Sequence, residues 1–220
     1  MDPATRRPYR RASEETRRAD LIAATQDLVA EGGSAAATVR AIAARAGVTP
    51  GLIRHYFQSK DDLTRAAYVS LMDGMTAKGA DALEGVGAQP EERLAAFIAA
   101  SLRPPVLDVG AVVVWAAYMH KVRIDPEVLA VHETAYVTYR NTLQSLIAVL
   151  PRTASDAQQR AEAIACNGLI DGLWLEGSIL AHSFAHDEIV TIALRSAGAI
   201  LGVDLLAHSA MLLDLGKSQP

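Results

Sequence analysis

Arg54, His55 and Tyr56 stand side by side in GVTPGLIRHYFQSKDDL, the stretch from Gly47 to Leu63, and all three side chains can read a polyanion. A guanidinium can donate to a guanine edge in a major groove, a phenol can reach a phosphate, and Lys60 adds an ammonium nearby. Ile53 and Phe57 are four apart, so in a helix they share a core-facing side and leave Pro50, Arg54, His55 and Tyr56 outside. The same pattern also suits a surface helix that touches no nucleic acid.

A second set of residues points to different chemistry. Trp115, Tyr118 and Met119 fall at i, i+3 and i+4, Tyr136 and Tyr139 are three apart, and so are Asp171 and Trp174. If the sets converge, they enclose a cavity with aromatic walls and one or two carboxylates, Asp171 and Glu176. Such a cage suits a quaternary ammonium, each aromatic face contributing about 0.5–2 kcal/mol. Taken singly, aromatic residues at this spacing are more often ordinary core.

Catalytic chemistry finds little support. His182 and His186 have a metal-compatible i, i+4 spacing but no third ligand and an expected helix junction between them. His120, His132 and Glu133 could be brought together only by the fold, and two surface histidines are the easier account. Cys166, the single cysteine, sits in apolar AEAIACNGLI and reads as a buried structural thiol. Phosphate-binding glycine loops, a nucleophile elbow and a dinucleotide fingerprint are absent. The expectation is therefore no enzyme, no metal and no cofactor.

Composition sets the frame for these groups. Half of the 220 residues are hydrophobic, enough for a substantial core, and the longest apolar run, Ala111 to Met119, is far short of the roughly 20 residues of a membrane helix. A soluble cytoplasmic protein with no membrane partner is expected. The net charge of −4 hides an asymmetry: residues 1 to 65 hold 11 Lys+Arg against 8 Asp+Glu, and residues 66 to 220 hold 10 against 17. Arg6, Arg7, Arg10 and Arg11 form a basic arm ahead of the first helix signal, which suits either a polyanion surface or a solvated tail.

Helical periodicity runs through the chain, and the expected fold class is all-α with about nine helices. Ser13 can cap a first helix that EGG, Glu31 to Gly33, should stop. Thr38 can cap a short helix to Ala46, Gly47 should end it, and Thr49 with Pro50 should open the next. Ser59 and Asp62 have capping-box spacing for a long helix from Lys60 to about Leu83. A helix, a tight turn and a second helix with a third behind them make a helix-turn-helix. Farther on, Pro90 opens one helix, Asp125–Pro126 another that ends before Pro151, Ser155 and Gln158 form a second capping box, and a last main helix spans about Asp187 to Ile200.

TVRAIAARAGVTPGLIRHYFQSKDDL resembles the DNA-binding domain of the TetR family of bacterial regulators over about residues 14 to 75, with AGV followed by YFQSKDDL its most specific part. GLIRHYF and the later LIDGLW resemble the choline-responsive BetI subgroup. The resemblance implies that Pro50 to Phe57, including Gly51 and Leu52, is a recognition helix. By position it implies that Thr38, Thr49, Tyr56 and Lys60 hold the DNA backbone and that Arg54 and His55 read bases. Leu52 departs from the polar Thr of many members and favours a thymine methyl over a hydrogen bond.

The resemblance further implies dimerisation through the two last helices as a four-helix bundle. Ala161, Ala165, Gly168 and Gly172 would allow close approach, and Ile189, Ile192, Ala193, Ala197 and Ile200 would supply apolar contact. A two-fold dimer reads a palindrome with half-sites roughly 34–36 Å apart. The expected organisation is an arm at 1–13, a DNA-binding domain at 14–60, an effector and dimerisation domain at 61–204 and a tail at 205–220. The expected function is an effector-responsive regulator, a repressor binding double-stranded operator DNA as a homodimer. Two alternatives are an effector-independent DNA-binding protein and a helical enzyme or carrier with a degenerate helix-turn-helix.

Overall fold

The computed structural model describes residues 14–209. Ser13, the basic arm with Arg10 and Arg11, and the tail from residue 210 lie outside the described residues. Among those described the fold is all-α: α1 (Glu14–Ala36), α2 (Val39–Arg45), α3 (Pro50–Tyr56), α4 (Lys60–Asp81), α5 (Pro90–Ser101), α6 (Val109–Ile124), α7 (Pro126–Ala148), α8 (Asp156–Ile179) and α9 (Glu188–Leu201), with a short 3₁₀ turn at Ala181–Ser183. No helix among them is long and apolar enough to cross a membrane. Two compact units divide between Ala67 and Tyr68, within α4 rather than at its start.

In the first unit, local signals set the geometry of the helix-turn-helix. The Thr38 hydroxyl accepts from Ala41 N–H at 3.2 Å and starts α2. Gly47 ends it at φ +64, a left-handed conformation open to glycine without steric cost. Gly47 N–H then bonds the Ala44 carbonyl at 3.2 Å and Val48 N–H the Ala43 carbonyl at 2.9 Å. This pair of bonds is a Schellman motif, which satisfies the last carbonyls of α2 and fixes the direction in which α3 leaves. Leu21, Leu28, Ile42, Ala43, Ile53, Phe57 and Leu63 make the core beneath it, each at most 9% exposed.

Three cap details differ from the sequence reading. Helical geometry does break at Gly32 and Gly33, but another turn follows to Ala36. Thr49 has N-cap backbone angles without a side-chain cap bond, and Pro50 follows it in the first turn. At α8 the Ser155 hydroxyl accepts from Gln158 N–H, whereas the Gln158 side chain turns to Glu162 instead of completing the box.

The second unit is built around α5, whose residues Leu94 to Ala99 are all buried. It packs against α7, α8 and α9, while α6 packs on α7 and α8. Asp108 and Asp125 cap α6 and α7 through backbone N–H groups. Arg103 donates from two nitrogens to Asp187, tying the end of α5 to the start of α9. Cys166 is fully buried, and burial pushes its thiol up to about 11, as a structural thiol should be.

Candidate nucleic-acid interface and effector cavity

α3 divides its side chains sharply. Ile53 and Phe57 are each 2% exposed, whereas Pro50, Gly51, Arg54 and His55 lie on the surface and Leu52 and Tyr56 are half-buried. Seven residues make barely two turns, so burying one side commits the other to solvent. Lys60 is exposed at the start of α4. There Asp62 N–H donates to the Ser59 hydroxyl at 3.0 Å, and the Asp62 carboxylate accepts from Gln58 N–H at 3.1 Å. These caps and the acidic first turn, Asp61 and Asp62, make the start of α4 a poor anion site in itself and leave the Lys60 ammonium as its cationic group.

Arg18 is a positioning residue absent from the sequence reading. Its guanidinium donates to the main-chain carbonyl of Tyr56 and lies 4.3 Å from the Phe57 ring centroid. It therefore pins the end of α3 to α1. The signal was present, because Arg18 precedes Leu21 and Thr25 by three and seven, placing a cation on the inward face of α1. Arg18→Ala is expected to destabilise the first unit by about 2–3 kcal/mol through loss of a charge-assisted bond and a cation–π contact, read as a lower urea midpoint.

In the second unit one cavity of about 420 Å³ is lined by Trp115, Tyr136, Tyr139, Asp171 and Trp174, five residues that the spacing had placed in separate sets. Trp115 and Trp174 meet edge to face at 5.9 Å, and Trp174 Nε1–H is satisfied by the Val106 carbonyl at 2.8 Å. Tyr139 and Ser101 share a hydroxyl bond of 2.8 Å. Burial keeps the Tyr139 phenol protonated, well above its ordinary range. Tyr118 and Met119 are not among the lining residues. Tyr118 is 2% exposed and stacks on Tyr68 at 4.8 Å, because the step from Trp115 rotates it away from the cavity. Glu176 is exposed and outside the lining as well.

Asp171 brings the charge. Asp171 is exposed as a residue, yet its carboxyl accepts from Asn167 Nδ2–H at 2.8 Å and lines the cavity, where desolvation pushes its pKa up to about 6 against that bond. Sequence reading missed Met72, Met75 and Thr76 from α4, Ser101 from α5, His132 from α7 and Asn167 from α8. His132 was legible in principle, four before Tyr136 and seven before Tyr139 on one face of α7. Its Nδ1 lies 2.8 Å from the Tyr68 hydroxyl, and burial lowers its pKa. No group of three or more His, Cys, Asp or Glu among the described residues could hold a metal.

The helices expected to pair with a second copy divide differently. Gly168 and Gly172 are exposed, with no atom within 4 Å of where a side chain would begin. Ile192 and Ile200 are 37% and 39% exposed. Ile189, Ala193 and Ala197, by contrast, are at most 5% exposed and packed in the chain's own core. The strongly apolar α9 uses that side against α5 and α8, so its outward contacts are the other isoleucines.

Comparison with known proteins follows this division. Residues 21–67 match the family model for bacterial regulatory proteins of the tetR family, and residues 90–202 match that for the C-terminal region of BetI-type transcriptional repressors. The HTH-type transcriptional regulator BetI of Paraburkholderia phymatum is 30% identical over 196 residues, covering 89% of this chain and 96% of its own. BetI of Burkholderia thailandensis is 29% identical over 179 residues, covering 81% and 90%. A transcriptional regulator from Pseudomonas aeruginosa PAO1 superposes with a TM-score of 0.75 at 27% identity, covering 91% of this chain and 98% of its own. A regulator from Saccharomonospora viridis, solved in complex with choline, shares the fold with a TM-score of 0.70 at 20% identity over 82% of this chain and 94% of its own. The chain is a DNA-binding transcriptional regulator of the TetR family, with a BetI-type C-terminal domain.

Proposed function

We propose that this regulator represses transcription as a homodimer on a palindromic operator and that a small organic cation releases it. The cavity carries the effector half of this reading: four aromatic rings and a carboxylate around about 420 Å³ suit an alkylated ammonium. The choline complex of the Saccharomonospora regulator supports the same ligand class. An effector-independent protein with Trp115 and Trp174 filling its interior is at odds with a void of that size.

On DNA, Arg54 and His55 read base edges, Leu52 offers an apolar contact, and Thr38, Thr49, Tyr56 and Lys60 hold phosphates. Arg10 and Arg11 add further phosphate contacts from the arm. The outer faces of α8 and α9, with Gly168, Gly172 and Ile192, pack on a second copy. Coupling follows from α4, which supplies Leu63 and Ala67 to the core of the first unit and Met72, Met75 and Thr76 to the cavity. A ligand that binds one arrangement of α4 better than another shifts the regulator between them.

The test begins with selecting an operator from random duplexes, followed by anisotropy titration at two salt concentrations with and without choline. Selective binding that weakens with salt and is reversed by choline is the expected result. Failure to select any sequence would overturn the DNA reading, whereas selective binding indifferent to choline would remove that effector and leave the regulator standing.

A further inference from the structure

We propose that the cavity separates holding a ligand from acting on it. Asp171 and the aromatic walls hold the cation, and His132 senses a ligand oxygen and passes its presence to α4 through Tyr68. The effector class is then narrower than any quaternary ammonium: a cation that also carries a hydroxyl or carboxylate oxygen. This inference rests on the cation reading of the cavity.

Three observations on different helices carry it. His132 and Asp171 line one cavity from α7 and α8, so a ligand has a carboxylate and an imidazole within the same space. The hydroxyl of Tyr68, on α4, is 2.8 Å from His132 Nδ1, leaving Nε2 as the ring nitrogen available to a ligand. Tyr68 itself is fully buried, stacked on Tyr118 at 4.8 Å, and cannot move without displacing its neighbours. Nothing in the aromatic box requires such a link.

The tautomer of His132 gives the link its direction. Burial pushes the Tyr68 phenol up to about 12 and lowers His132, so a protonated phenol faces a neutral imidazole at neutral pH. With Tyr68 donating to Nδ1, the imidazole proton resides on Nε2 and points a donor at the ligand. A ligand oxygen accepting that proton makes Nδ1 a better acceptor and strengthens the Tyr68 bond, as hydrogen bonds in a chain polarise one another. The bond joins α7 to α4, so its strengthening favours one placement of α4. A cation without an oxygen fills the box and leaves that bond as it was.

The experiment compares choline with tetramethylammonium on the full chain and its selected operator. Binding is followed by intrinsic fluorescence, since both tryptophans border the cavity. Both cations are expected to bind, within about tenfold of each other. At equal occupancy choline should release the DNA and tetramethylammonium should not. Tyr68→Phe should keep choline binding within about threefold and DNA binding unchanged, yet lose release. With Tyr68 intact, His132→Gln, which can accept from Tyr68 and donate to a ligand, should keep part of the release. Equal release by both cations, or full release from Tyr68→Phe, would overturn the inference while leaving the cation cavity intact. If neither cation alters the fluorescence of the wild-type protein, the cavity reading falls and takes this inference with it. The comparison of two ligands on wild-type protein needs no variant to fold.

Discussion

Arg54→Ala is expected to remove sequence-selective operator binding without unfolding the protein. The side chain is exposed on α3, while the contacts that seat this helix belong to Ile53 and Phe57 on the opposite side. Its loss should therefore change stability by no more than about 0.5 kcal/mol. A bidentate contact from arginine to guanine contributes about 1–3 kcal/mol of discrimination, and a two-fold dimer loses two of them, about 2–6 kcal/mol together. Selective affinity should fall by about 30-fold to more than 10⁴-fold, toward the level of a scrambled duplex. Lys60→Ala offers the contrast: binding to both duplexes should weaken together, and the salt slope should fall by about one per subunit. Anisotropy titrations on selected and scrambled duplexes, with circular dichroism melts of each variant, separate these results. An unchanged ratio between the duplexes in Arg54→Ala would remove this residue from base recognition.

Asp171→Asn should abolish tight choline binding and at the same time stabilise the free protein at neutral pH. The Asp171 carboxyl has a pKa of about 6 in the folded chain against an ordinary 3.8, because burial outweighs the Asn167 bond. A raised carboxylate pKa means that the folded state binds a proton more readily than the unfolded state across that interval. Ionisation of Asp171 therefore destabilises the fold above pH 6, and the penalty disappears as pH falls from about 6 to about 4. Asparagine has no such penalty at any pH. Choline is attracted more strongly by the ionised form, so wild-type affinity should weaken as pH drops through 6, whereas the variant should be weak and flat. A cation–carboxylate contact in this partly enclosed site is worth on the order of 1–3 kcal/mol after desolvation, or about 10- to 100-fold in affinity. Fluorescence titrations between pH 5 and 8 and melts at the same pH values, with histidines common to both proteins, provide the check. Unchanged choline affinity in the variant would show that the aromatic box alone holds the cation.

These two residues differ in how readily the chain discloses them. Arg54 is legible because the helix-turn-helix is written in short-range signals: Thr38 caps α2, Gly47 ends it, and Pro50 begins α3, all within 13 residues. Asp171 is legible only as one member of a spacing pattern on α8. That it shares a cavity with Trp115 and Tyr139 depends on helices far apart in the chain.

What the sequence by itself determined is the helical architecture, the cap positions that punctuate it and the side of α3 left exposed. Backbone donors and acceptors at helix ends must be satisfied by residues close in sequence, so these features are decided locally. Tertiary structure alone decided that Trp115 lines the cavity while Tyr118 stacks on Tyr68, that Ile189, Ala193 and Ala197 belong to the chain's own core while Ile192 and Ile200 remain outside, and that His132 meets Tyr68 across 64 positions of chain. Helical periodicity identifies an apolar arc without naming the helix opposite it. An arc wide enough to touch two neighbours is shared out only when segments remote in sequence pack together.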